Sequence, residues 1–102
     1  MVKRRFSWDD VKNQSNLRKH NVSFEVACHV FDDPLHVSVQ DRFEGGEQRW
    51  QTFGMVGDCV ILLVAHTMIE DDENGEPVEF IRIISARRAD RRERQRYENE
   101  IG

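Results

Sequence analysis

Cys59-Val60-Ile61-Leu62-Leu63-Val64-Ala65-His66-Thr67-Met68 is the stretch on which the fold turns. A near-continuous aliphatic run of this length is the composition of a strand covered on both faces, so it belongs at the centre of a sheet. Before it, Gly57-Asp58 reads as a tight turn and Gln48 to Val56 as the preceding strand. Glu44-Gly45-Gly46-Glu47 reads as a further turn. Upstream of that, Leu35, Val37 and Val39 alternate with His36, Ser38 and Gln40, the period of a strand with one buried face. After the central run, Glu70 to Pro77 reads as an acidic loop and Val78 to Arg87 as a fourth strand. Three short connections in succession predict an antiparallel meander.

Helices flank these strands. Phe6-Ser7-Trp8 fits an edge strand or a hydrophobic lead-in, and Asp9-Asp10 supplies N-terminal carboxylates for a helix from about Asp10 to His20. Its only large aliphatics are Val11 and Leu17, so its amphipathicity is poor, and Asn21 is a left-handed stop. Ser23 opens a second helix in which Phe24, Ala27, Cys28 and Phe31 fall at i, i+3, i+4 and i+7, a core-facing stripe that Asp32-Asp33-Pro34 ends. Ala89 to about Ile101 forms a third, opened by the capping box Asp90-Arg91-Arg92-Glu93, with Ala89, Tyr97 and Ile101 as a narrow apolar stripe. Two helices, a four-stranded antiparallel sheet and a C-terminal helix make the class α+β.

The chain has 102 residues, the size of one domain, and residues 1–102 are read as such. Its longest apolar run falls far short of the roughly 20 residues that cross a bilayer. The Met1-Val2-Lys3-Arg4-Arg5-Phe6 start lacks the apolar stretch of a signal peptide. A cytoplasmic protein without membrane contact is expected. Cys28 and Cys59 sit in apolar segments and read as buried free thiols. No Cys or His spacing suits a metal, so neither metal nor cofactor is expected.

The net charge of −4 speaks against a simple nucleic-acid binder, but its distribution does not. Residues 1–20 carry +4, residues 21–82 carry −10 and residues 83–102 carry +2. If the fold joins the ends, an acidic protein acquires a local positive surface. Solvation of exposed helices is the alternative reading of the same charges.

Six blocks resemble the BrnT family of toxins: Phe6-Ser7-Trp8-Asp9 with Lys12-Asn13, Asn16 to Phe24, Phe31-Asp32-Asp33-Pro34, Glu47-Gln48-Arg49-Trp50 with Phe53-Gly54, Val64-Ala65-His66-Thr67, and Ile81 to Ala89. They keep their order along nearly the whole chain. Asn21 and Asp90 stand where the family favours glycine and threonine, and both replacements suit a helix stop and a cap. The resemblance implies a RelE-like fold and a ribonuclease toxin of a type II toxin–antitoxin system. It further implies inhibition of translation, neutralisation by a BrnA-type antitoxin, oligomers built through that antitoxin, and operator DNA bound only by the complex.

Metal-free RNA cleavage needs a base for the ribose 2′-hydroxyl, an acid for the leaving oxygen and cationic donors for the phosphorane. His66, at the end of the central strand, is a catalytic candidate if one ring nitrogen is held and the other faces solvent. Arg82 interrupts Val78, Phe80, Ile81, Ile83 and Ile84, where a charge is either functional or paired with a carboxylate such as Asp41 or Glu47. Strict alternation places Arg82 with Phe80, Ile84 and Arg88, and places Arg87 on the opposite face with Ser85, Ile81 and Ile83. Arg87 is the third catalytic candidate. Arg88, Arg91 and Arg92 are candidates for positioning phosphate, joined by Lys12, Lys19 and His20 if the first helix lies beside that junction. Tyr97 suits either base stacking or the core, and Trp50 suits the core. A non-catalytic module whose basic ends bind DNA or a partner, acting as a co-repressor, is the competing reading.

Overall fold

The computed structural model describes residues 2–101. Met1, Gly102 and the side chain of Ile101, which the sequence assigns to an apolar stripe, lie outside it. Five strands form one mixed sheet: β1 (Lys3–Ser7), β2 (Val37–Glu44), β3 (Glu47–Val56), β4 (Val60–Glu73) and β5 (Glu76–Arg88), in the order β1-β5-β4-β3-β2. Helices α1 (Asp10–His20), α2 (Phe24–Ala27) and α3 (Arg91–Ile101) complete the α+β fold. The meander from β2 to β5 is antiparallel as expected. The four-stranded expectation is corrected by β1, which joins the edge in parallel with β5. Lys3-Arg4-Arg5-Phe6-Ser7 has a single large apolar residue, Phe6, and an edge strand needs little more.

The loop expected over Glu70 to Pro77 is instead the end of a long hairpin. β4 runs to Glu73 and β5 starts at Glu76, joined by Asn74-Gly75 with φ of 55° and 84°. Asn-Gly is the dipeptide that tolerates two successive left-handed residues, and it outweighs the acidic composition around it.

Helix α1 begins and ends where the sequence places it. The Asp9 carboxylate accepts from the Val11 and Lys12 amides, and Asn21 closes the helix at φ 57°. Val11 and Leu17 are exposed, and the residues α1 buries are Asn13 and Asn16. Asn16 donates to the carbonyls of Val22 and Ala86 and accepts from the Ala86 amide. Asn13 accepts from the Phe24 amide and donates to Glu25. Polar stitching therefore docks this helix where an apolar stripe is lacking.

The second helix changes type. Ser23 caps α2, but Cys28–Asp32 continues as a 3₁₀ segment. A period of three brings Phe24, Ala27 and Val30 into line, all fully buried, while Cys28 is left half-exposed. Gly54 makes this packing possible, since a Cβ there would sit 2.6 Å from Val30 Cγ1 and 2.7 Å from its carbonyl oxygen.

The sheet thus has two unlike faces. The closed face, under α1, α2 and the 3₁₀ segment, holds Leu62, Val64, Ile81, Ile83 and Ala86 against Val22, Phe24, Val30 and Phe31. On the other face Tyr97 of α3 packs with Phe53, Ile61 and Leu63; beyond them Thr67 and Val78 are also buried, whereas Ile69, Phe80 and Arg82 are exposed, and this is called the open face. Leu35 lies outside β2 and is exposed, Trp50 is only half-buried, and Cys59 is exposed in the turn after Asp58 rather than buried.

A bulge in β5 sets what the open face displays. Ala65 pairs with Ser85, but His66 pairs with Ile83, so β5 carries one residue more than β4 at this point. Alternation breaks there. Arg82 (opposite Thr67), Ser85 (opposite Ala65) and Arg87 (opposite Leu63) consequently share the open face, while Arg88 (opposite Leu62) turns to the closed side. This reverses the assignment that strict alternation gives Arg87, Ser85 and Arg88.

Candidate functional site

Strands β3, β4 and β5 place Arg49, Thr67 and Arg82 in one row across the open face. Gln51, Ala65 and Ser85 form the next row, and Phe53, Leu63 and Arg87 the one after. Arg82 Nη2 donates to Glu47 Oε1 at 2.7 Å, and both side chains keep access to solvent, at 46 % and 33 % exposure. The pair that the sequence allowed as a buried one is therefore a surface pair. Arg49 makes no ion pair among the described residues, and its buried Nε has no hydrogen-bond partner among them. A carboxylate and two guanidinium groups thus lie on one accessible strip of sheet, the donor and acceptor set that a phosphodiester requires.

Arg87 borders this strip and is otherwise engaged. Its fork meets Glu93 through two bonds of 2.7 and 2.9 Å, which raises the Arg87 pKa and lowers that of Glu93. The expected capping box also forms: the Glu93 amide donates to Asp90, and the Asp90 amide donates to Glu93. Glu93 therefore joins the start of α3 to both its own cap and the sheet.

Tyr97 is buried, and its hydroxyl donates to Asp33 Oδ2, which also accepts from the Met55 amide; Oδ1 accepts from Leu35. Burial raises the Asp33 pKa, but the Met55 amide, Tyr97, the Leu35 amide and His36 outweigh it and hold the carboxyl below its usual range. Burial, followed by the Asp33 bond, pushes Tyr97 up to about 12. Base stacking by Tyr97 is thereby corrected: the side chain anchors α3, and Asp33 does more than end a helix.

His66 is likewise not where the chemistry needs it. It lies on the closed face with no exposed surface, edge-on to Phe31 at 5.1 Å. Its Nδ1 faces the Thr67 carbonyl at 3.1 Å, which assigns the proton to Nδ1, and Nε2 accepts from the Thr52 hydroxyl at 2.7 Å. Thr52 in turn meets Ser38. Burial drives the His66 pKa down to about 4, against a smaller upward pull from the Thr67 carbonyl and with a further small push down from His36, so the ring is neutral at ordinary pH. The solvent-facing nitrogen expected from the sequence is absent.

The basic residues are divided by the sheet. Lys12, Lys19 and His20 are exposed on α1, whose sheet contacts lie on the closed face, and Arg88 lines a groove there with Leu17, Val26 and Leu62. They do not join the strip of Arg49 and Arg82. Arg91, Arg92, Arg94 and Arg96 are exposed on α3 and form no ion pair among the described residues. At the other end, the acidic hairpin neutralises β1: Lys3 and Arg5 meet Glu73, and Arg4 meets Glu79.

Glu47 is the residue that sequence reasoning undervalued, having entered only as a partner for Arg82. The sequence alone puts it in the turn and offers it with Asp41 as a partner for Arg82; that it opens β3 in the company of Arg49 is not legible there.

The family model for the ribonuclease toxin, BrnT, of type II toxin–antitoxin systems matches residues 8–93. Among solved structures, the crystal structure of the Brucella abortus ribonuclease toxin BrnT is similar in fold. The TM-score is 0.56 at 20 % identity, over 88 % of this chain and 100 % of that one. No curated protein matches the chain at a significant level.

Proposed function

Because the chain belongs to the BrnT family of ribonuclease toxins of type II toxin–antitoxin systems, we propose that it cleaves RNA on the open face of its sheet. Arg82 and Arg49 hold the scissile phosphate there, and Glu47 takes the proton of the attacking 2′-hydroxyl. The observation that carries this reading is the accessible Arg82–Glu47 pair beside Arg49. A strand interior gives no structural reason for three such groups on one exposed strip, whereas a phosphorane needs cationic donors and a base in contact with them. The 2′-oxygen attacks phosphorus, its proton passes to Glu47, and the P–O5′ bond breaks with a solvent proton reaching O5′. Arg87, its fork occupied by Glu93, positions α3 at the rim. His66 acts only through the fold.

The test is cleavage of a single-stranded RNA by the purified chain. Fragments ending in 2′,3′-cyclic phosphate and insensitive to EDTA are expected, with losses of about 10²–10³-fold for Arg82→Ala and about 10²–10⁴-fold for Glu47→Gln. Fragments bearing 5′-phosphates, or loss with chelator and rescue by Mg²⁺, overturn the mechanism. In a host lacking the antitoxin, expression arrests growth through falling translation in the cytoplasm, and both variants relieve the arrest.

A type II toxin has a cognate antitoxin. We assign it to the BrnA type, with an acidic segment docking on the exposed Arg91, Arg92, Arg94 and Arg96 of α3, and with operator DNA bound through the assembled complex. Replacing Arg91 and Arg92 together with Glu slows association most at low salt. Unchanged association in that variant moves the antitoxin to another face.

A further inference from the structure

Beyond the arginine strip the open face ends in an apolar step that the fold covers only in part. Phe80 on β5 and Ile69 on β4 are register partners, and they remain 39 % and 57 % exposed. The coverage given by Tyr97 stops at Phe53, Ile61 and Leu63. Arg5 is the register neighbour of Phe80 on β1, and Arg82 lies two residues along β5 on the same face, about 7 Å away by strand geometry. A partly exposed aromatic side chain therefore stands on this face, one nucleotide's reach from the guanidinium assigned to the phosphate.

We propose that Phe80, flanked by Ile69, is a stacking platform for the base adjoining the scissile phosphate of single-stranded RNA. The inference rests on the ribonuclease reading above. Every base has a π face, and stacking on an aromatic ring strengthens binding regardless of sequence. Two features select RNA over a protein occupant. The apolar patch amounts to two side chains, whereas a stable protein interface covers about 800 Å² per partner. Of the guanidinium groups around it on this face, Arg5 is held by Glu73 and Arg82 by Glu47, while Arg49 makes no ion pair among the described residues and suits a polyanion. The sequence offered base stacking to Tyr97; the fold buries Tyr97 and leaves Phe80 accessible.

The experiment compares wild type, Phe80→Ala and Phe80→Tyr on one single-stranded RNA. It uses a cleavable form for kinetics and a 2′-O-methyl form for affinity, each with and without an abasic nucleotide next to the cleavage site. Phe80→Ala is expected to raise KM, and Kd for the uncleavable RNA, by about 5- to 150-fold with kcat little changed. Phe80→Tyr retains wild-type values. On the abasic RNA wild type and Phe80→Ala become equal, an outcome that a merely structural role would not produce. Circular dichroism checks that the variants are folded. Wild-type cleavage with unaltered Phe80→Ala constants overturns the platform and leaves the ribonuclease reading standing; no cleavage by wild type overturns both. Unaltered RNA constants together with weakened antitoxin binding give the patch to the protein partner and likewise overturn the proposal.

Discussion

The two faces of this sheet are built from the same strands, yet they treat polar side chains in opposite ways. On the closed face Asn13, Asn16, Thr52 and His66 are buried, and each finds its partners inside the chain. On the open face Arg82 and Glu47 are paired but accessible, Arg49 has no ion-pair partner among the described residues, and Phe80 is partly exposed. A buried polar group must be satisfied or it costs free energy, so the closed set is explained by folding alone. Nothing in folding calls for the open set. Polar residues in a strand therefore carry a functional message only once their face is known.

Asn16→Ala gives the largest effect that sharpens this contrast. It leaves the Ala86 amide and two carbonyls without partners in the interior, at about 1–3 kcal/mol for each buried group. Denaturant unfolding should show a loss of about 3–5 kcal/mol. A loss below 1 kcal/mol would mean that α1 is held by something other than its asparagines. Arg82→Ala gives the mirror result: cleavage falls by about 10²–10³-fold, while stability changes by no more than about 1 kcal/mol, as for an exposed ion pair. Equal damage to stability and activity would erase the distinction between the faces.

The pH dependence of folding tests the closed face on its own. His66 has a folded pKa of about 4 against about 6.5 when unfolded. Between these values the unfolded chain binds a proton that the folded chain refuses, so stability falls as pH drops from about 6.5 towards 4. The full loss is about 3 kcal/mol, at 1.36 kcal/mol per pKa unit. His66→Asn should flatten that slope in urea titrations across the window. Asp33 and Glu93 have depressed pKa values, so their contribution is present above the ordinary carboxylate range and is lost at more acid pH. A loosening of α3 should therefore follow the histidine effect rather than precede it.

Smaller still, Tyr97→Phe removes one hydrogen bond to a carboxylate and should cost about 2 kcal/mol by thermal or chemical unfolding. The smallest change is expected from replacing Lys12 or Lys19 with Ala. Stability should stay within about 0.5 kcal/mol, and cleavage should remain near the wild-type rate because these residues are absent from the open strip. A large loss of cleavage would bring α1 back into the RNA surface.

What the sequence conveyed was local. The Asp9 cap, the Asn21 stop, the Asp90–Glu93 box and the central strand all depend on neighbours a few residues apart, and each appears in the structure. The misreadings arise where distant contacts decide. Edge strand β1 has almost no pattern of its own and is recruited by β5. The 3₁₀ winding after Ala27 follows from close packing on Gly54, far along the chain on β3. His66 and Arg82 are both polar residues in aliphatic strands, and only the packing of α2 and the 3₁₀ segment tells which is covered. Of the site, Arg82 and a carboxylate partner for it were legible; the company of Arg49 and the loss of His66 and Tyr97 to the interior were not.

The extra residue that β5 carries between Ile83 and Ser85 has a consequence for how this strand tolerates change in length. It acts as a phase marker: residues before it and after it keep to different alternations, and Arg82 and Arg87 face the same way only because the two are offset. Deleting Ile84 would restore a single alternation and leave Arg82 and Arg87 four residues apart, so both would still face the open side, with the local twist of the bulge lost. Spacing along this strand is thus as much a part of the site as its chemistry, and a one-residue deletion at the bulge should be borne better than one elsewhere in β5.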